Sequence, residues 1–192
     1  MDVVLALAHK TDLVWWNKRV LSALFIAVKG VFDNVVMTCL LEELQVERYP
    51  QQVLQWIQSF LTDRSIAISF DGIKEPLYPV NTGIPQGSRI SPILFLIYLH
   101  PLFNIINQQH PEIWTPLYTH DYAVIINGKS EEQNAHILDQ VTQTVFTWGN
   151  NNAVAFNDLK SELIHFHNLC TTNNIPITLP NHILIIPSKL LR

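Results

Sequence analysis

The chain has 192 residues, of which 48% are hydrophobic and only 15% charged, with a formal net charge of −4. That is material for one sizeable core, and the acidic balance, with twelve scattered basic residues and no basic run, excludes a protein built for tight, non-specific nucleic-acid binding. Two distant cysteines, Cys39 and Cys170, exclude a disulfide framework or a cysteine-rich zinc centre, and the acidic Asp2 with no basic run before the first apolar stretch excludes an ordinary signal peptide.

In chain order, residues 1–20 carry apolar positions at helical spacing with no Gly or Pro and predict a helix. Leu21 to Val28 (LSALFIAV) is a continuous apolar run and predicts a buried strand, which Lys29-Gly30 ends. Two helices follow, over Val35–Val46 and Gln51–Leu61. Ile66 to Phe70 alternates like a strand, Asp71-Gly72 is a hairpin turn signal, and a return strand to Val80 is confined to an edge by Pro76 and Pro79.

Residues 82–102 read TGIPQGSRISPILFLIYLHPL. Gly83, Pro85, Gln86, Gly87 and Ser88 form a polar turn, because Gly reaches positive φ cheaply and Pro presets its own φ. Ser88 or Ser91 is placed to cap a helix whose apolar stretch, Ile93 to Leu102, predicts burial over most of its surface. The bare amides of such a turn suit a phosphate. Ile90 to Ile106 is the one membrane-like stretch, but two prolines and His100 interrupt it and it is shorter than the ~20 residues a span needs. Leu117 to Asn127 predicts a strand with a turn over Tyr118 to Asp121. Ser130 with Gln133 fits a capping box for a long helix, Glu131 to Trp148, and a loop follows at Asn150 to Asn152. Phe156 to Phe166 is a further apolar element, with His165 and His167 as alternate residues, and the Pro- and Asn-rich tail is β-like at Ile183 to Ile186. The pattern is α+β on an antiparallel sheet.

Three of these stretches, in this order, resemble motifs A, B and C of reverse transcriptases, most closely those of LINE-type, non-LTR retrotransposons: SALFIAVKGVFDNV (22–35), TGIPQGSRISPILFLIYLHPL (82–102) and LYTHDYAVII (117–126). The segment WIQSFLTDRSIAISFDG (56–72) fits between A and B, and FNDLKSELIHF (156–166) is similar to motif D. The resemblance covers nearly all of residues 1–192, as a single, partial reverse transcriptase domain. It implies a polymerase palm-like antiparallel sheet with packed helices, part of the fingers and no thumb. It also implies RNA-templated DNA synthesis from dNTPs, with two Mg²⁺ ions held on carboxylates of motifs A and C. RNA template and DNA primer are the implied partners, held weakly given the acidic charge. No membrane is implied, the rest of a parent polyprotein is expected to be missing, and the setting is intracellular, nuclear or cytoplasmic.

Residue by residue the resemblance breaks at the metals. Counting back from Phe32, the motif A aspartate position is Ala27, which has no ligand atom. Motif C, expected as Tyr-x-Asp-Asp, reads Tyr118-Thr119-His120-Asp121, which leaves Asp121 alone in an incomplete metal site. Phe32 matches the aromatic under the incoming sugar, Gln86 and Gly87 match the nucleotide and template contacts of motif B, and Lys160 matches the motif D lysine held to protonate pyrophosphate. Arg89 stands where the family has proline. The expectation is a degenerate copy with its polymerase chemistry lost. The alternatives are a non-catalytic remnant that binds nucleic acid or protein, and an active enzyme using Mn²⁺ with His120 as ligand.

Overall fold

The structure is a computed structural model that describes residues 3–118, 121–166 and 174–188. Its elements are α1 (Val3–Trp16), β1 (Val20–Lys29), α2 (Met37–Val46), α3 (Gln51–Leu61), β2 (Arg64–Ile66), β3 (Ser69–Phe70), β4 (Ile73–Lys74), β5 (Tyr78–Val80), α4 (Ser91–Gln109), β6 (Leu117–Tyr118), β7 (Asp121–Gly128), α5 (Glu131–Asn151), β8 (Ala155–Phe166), β9 (Ile177–Thr178) and β10 (Leu184–Ile185). They fall into two compact units. One comprises Met1–Lys29, Leu102–Asn151 and Ala155–Arg192, and the other Gly30–Pro101 with Asn152–Val154.

The first unit is built on a four-stranded antiparallel sheet in the order β6-β7-β1-β8. β1 is central because nothing in VLSALFIAVK needs water until its last residue. Leu21, Ser22, Ala23, Leu24 and Ile26 are all fully buried, so both faces of this strand are covered. On one face Leu21, Ala23, Ala123 and Ile125 pack with Val14 and Leu7 of α1 and with Trp114. α5 packs against β7, β1 and β8 through Leu138, Val141 and Val145. Each such side chain contributes roughly 1.5–3 kcal/mol when fully buried.

α5 starts where the sequence places it, with Glu131 and Glu132 complementing the helix dipole. The Gln133 N–H donates to Ser130 Oγ at 3.2 Å, but Gln133 Oε1 accepts from the Lys129 N–H at 3.1 Å, so the box closes one residue early. The helix also runs on to Asn151, through most of the loop expected at Asn150 to Asn152. β8 is not one continuous ladder. Glu162 stands opposite Phe25 but Asn157 stands opposite Ala27, so residues 158–161 loop out of register against a single residue of β1.

In the second unit α2 and α3 pack through Leu40, Leu44, Leu54, Ile57 and Leu61. The strand expected over Ile66–Phe70 is divided. β2 pairs with β5 and β3 with β4, and Ala67-Ile68 lie between. On the return side Pro76, which has no N–H to donate, falls in the gap between β4 and β5, whereas Pro79 is accommodated inside the short β2–β5 ladder opposite Ser65. At the tip Asp71 (φ 49°) and Gly72 (φ 79°) make the two-residue turn that an Asp-Gly pair favours.

α4 also departs from expectation. It begins at Ser91 and continues through Pro101 to Gln109, and only one side of it is covered: Ile93 and Leu96 are 56% and 45% exposed, while Leu94, Phe95, Tyr98 and Leu99 are buried. Of the two candidate caps, Ser88 Oγ accepts from the Ile90 N–H, whereas the Ser91 hydroxyl donates to the Pro85 carbonyl. Among the described residues no helix is long and apolar enough to cross a membrane.

Candidate active site

β1 and β7 define the first group of predicted residues. In their antiparallel register Ala27 stands directly opposite Asp121, and Tyr118 of β6 pairs with Asp121 from the other side. His120 lies outside the described residues, as does His167. The backbone therefore brings position 27 and position 121 together as neighbours on adjacent strands, as metal-binding positions of motifs A and C would have to be.

Beside Ala27 the looped-out segment of β8 opens a cavity of about 580 Å³, lined by Phe25, Ala27, Leu159, Lys160 and Glu162. Leu159 is 89% exposed, because residues 158–161 leave the ladder here. Lys160, read as part of an apolar element, sits in this bulge and is exposed. Mg²⁺ takes oxygen ligands, and Ala27 presents only a methyl group. The side chains this cavity adds are one ammonium, which repels a cation, and the exposed carboxylate of Glu162. These residues do not fit a two-ion centre.

One residue on, Tyr122 is fully buried against Phe103, with ring centroids 5.6 Å apart. Burial pushes its phenol far above the ordinary range. Its hydroxyl has no hydrogen-bond partner among the described residues.

The second unit holds the other group, organised by the turn that precedes α4. Gly83 has φ 73°, and a Cβ there would come within 2.6 Å of the Phe32 carbonyl oxygen, so only glycine fits. That close approach lets the Gly83 N–H donate to the Val35 carbonyl at 2.9 Å and the Ile84 N–H to the Phe32 carbonyl at 2.7 Å. Gln86 Nε2 donates to Asp33 Oδ1 at 2.8 Å. Phe32 meets Phe95 of α4 edge to face, at 6.1 Å and 85°. Gly87, with φ 82°, is exposed with open space around its α-carbon. Phe32 and Gln86 are thus tied into one turn-on-turn assembly.

The residue that sequence reasoning passed over is Arg64. Its Nε donates to the Leu61 carbonyl at 2.9 Å, and its Nη2 to the Thr82 and Gly83 carbonyls at 2.8 and 2.7 Å. It anchors the turn bearing Gln86 and borders a cavity of about 720 Å³ that Asp33, Ile66, Thr82 and Gln86 also line. The available signal was its place in the SFLTDR segment, directly after a helix end whose carbonyls need donors.

Comparison with known proteins shows the family. The profile of the family described as reverse transcriptase (RNA-dependent DNA polymerase) matches residues 5–181. The chain belongs to that family. Among curated relatives it is 26% identical over 155 residues to the RNA-directed DNA polymerase from mobile element jockey of Drosophila melanogaster, covering 79% of this chain. It is 22% identical over 151 residues to the probable RNA-directed DNA polymerase from transposon X-element of the same fly, covering 78% of this chain. These similarities place the domain with those of LINE-type elements. The chain spans 17% and 16% of the length of those two relatives.

Among solved structures, telomerase from Candida albicans in complex with a TWJ fragment of telomeric RNA superposes with a TM-score of 0.66 at 16% identity, over 93% of this chain and 32% of that one. Apo telomerase from Candida tropicalis, truncated from its C-terminal domain, gives 0.62 at 13% identity, over 93% and 40%. At such identities the likeness is one of fold, and the fold is the palm-like arrangement of antiparallel sheet and helices.

Proposed function

We propose that this chain is a reverse transcriptase domain of a retrotransposon whose metal clamp is lost, so that it carries no RNA-templated DNA synthesis. The observation that carries this reading is Ala27 opposite Asp121 in the β1–β7 ladder, with His120 replacing the other motif C aspartate. Divalent ions, Mg²⁺ or Mn²⁺, would supply charge neutralisation and activation of the attacking hydroxyl in this family's reaction. Two of the three carboxylates expected to hold them are absent, and imidazole is a poor ligand for Mg²⁺.

The roles left to other residues are binding roles. Phe32, Gln86 and Gly87 would contact nucleotide and template, and Lys160 keeps the position of a pyrophosphate acid with no reaction to serve. An RNA template and DNA primer remain the partners the family favours, held weakly by a chain with net charge −4. The domain reading is of one partial fingers-and-palm domain over residues 1–192, with motifs at 22–35, 82–102, 117–126 and 156–166.

Equilibrium binding of a dNTP, followed with and without Mg²⁺, tests the clamp. The expected affinity changes by less than about twofold with Mg²⁺ in the chain as it stands, and rises by about tenfold or more in the Ala27→Asp/His120→Asp variant. A strong Mg²⁺ dependence in the unaltered chain would overturn the reading. Salt-sensitive RNA retention without that dependence is the outcome expected of a non-catalytic binding remnant.

A further inference from the structure

A different cluster, within the second unit, has the makings of a metal site. Glu43 and Glu47 lie four residues apart along α2 and its C-terminal cap, and so share one helix face. Both aim at a single atom of α4. His100 Nδ1 is 2.9 Å from Glu43 Oε1 and 3.3 Å from Glu47 Oε1. One ligand atom from each of the three residues lies within 4.8 Å of the other two.

A ring nitrogen carries at most one proton, so the two carboxylates converge on a single Nδ1 position. The Glu43 side chain is only 13% exposed and so is largely withdrawn from water. A second observation comes from the backbone. Pro101 follows His100 inside α4 and has no N–H, so the Ile97 carbonyl lacks its helical donor. Ile97 lines the same cavity of about 250 Å³ as Glu47, His100 and Tyr49.

We propose that Glu43, Glu47 and His100 bind a borderline divalent cation, Zn²⁺ above others, with the Ile97 carbonyl or water completing its shell. Zn²⁺ accepts imidazole nitrogen together with carboxylate oxygen at about 2.0–2.2 Å, which sets neighbouring ligand atoms about 3.3–3.6 Å apart. The 2.9 and 3.3 Å separations need only small rotamer adjustments to reach that. Mg²⁺ is a poor match, since it disfavours imidazole and gives up its waters reluctantly. The ion would fasten α2 to α4. The proposal is independent of the reading of Ala27 and His120, which concerns hard-ion chemistry at other residues.

Co²⁺ is the probe, because a four- or five-coordinate site gives it strong visible bands that an aquo ion lacks. The chain, stripped with chelator, is expected to take up one Co²⁺ with such bands and to release it to Zn²⁺. Glu47→Gln, at an exposed position, should weaken uptake by about tenfold or more, and His100→Gln should abolish the bands. In case those variants misfold, the unaltered chain labelled with ¹⁵N should show the His100 ring signals shifting on Zn²⁺ addition. No bands with the unaltered chain, or no shift at His100, or unchanged uptake by both folded variants, would overturn the proposal; the last would assign the ion to other histidines.

Discussion

Ser22, His165 and Asn134 form a buried polar chain at the middle of the sheet unit. His165 Nε2 lies 2.9 Å from the Ile175 carbonyl, which can only accept, so that nitrogen carries the proton and Nδ1 accepts from the Ser22 hydroxyl at 2.7 Å. Asn134 Nδ2 donates to Ser22 Oγ and to the Val20 carbonyl. Both ring nitrogens of His165 are therefore spent on structure. Ser22→Ala strands Nδ1 in a dry site and should cost about 1–3 kcal/mol in urea unfolding. Tyr122 is the opposite case, since its buried hydroxyl has no partner among the described residues. Tyr122→Phe removes a desolvation cost and should leave the melting temperature unchanged or raise it; a fall of several degrees would reveal a bond to that hydroxyl. At Gly83 a Cβ would strike the Phe32 carbonyl oxygen, whereas at Gly87 it meets open space. Gly83→Ala should thus cost about 2 kcal/mol or more, and Gly87→Ala only about 1 kcal/mol for its positive φ.

At the scale of elements, what could be read beforehand was whatever depends on neighbours in sequence. The apolar run of β1, the Asp71-Gly72 turn, α3 over Gln51–Leu61 and the start of α5 at Glu131 all follow from local pattern. The looped-out residues 158–161 do not, because the register of β8 is set by β1, more than a hundred residues away. The one-sided burial of α4 escaped for a related reason: an apolar stretch with Ile93 and Leu96 outward has the same composition as one buried all round. Its passage through Pro101 is a tertiary choice too, with Leu94, Leu99, Leu102 and Ile106 packing tightly enough to offset one lost hydrogen bond. Arg64 joins two elements that sequence leaves separate, the end of α3 and the turn before α4. Arg64→Ala should therefore speed hydrogen exchange at the Gly83 and Ile84 amides by about tenfold or more, at little cost to α5. Equal exchange in both proteins would mean that the turn holds without it.

For the whole molecule, motif order and spacing were legible because a family's chemistry fixes residue types at fixed intervals. Counting from Phe32 to Ala27 needed no structure, and the β1–β7 register then sets that residue opposite Asp121. What spacing could not reveal was the surroundings of Ala27: a cavity with one ammonium and one exposed carboxylate beside a methyl group. The fold superposes on telomerase structures over 93% of the chain, and on the reading proposed above the palm-like frame is kept while positions 27 and 120 carry no carboxylate. Metal-ion catalysis contributes several kcal/mol, and every 1.4 kcal/mol is about tenfold in rate, so loss of the clamp should remove synthesis by many orders of magnitude. The decisive measurement is primer extension on an RNA template in Mg²⁺ and in Mn²⁺, with the unaltered chain beside the Ala27→Asp/His120→Asp variant. The account predicts no extended product from the unaltered chain with either ion and product from the variant. Extension by the unaltered chain would contradict it, and would mean that ligands other than the motif A and motif C aspartates hold the ions.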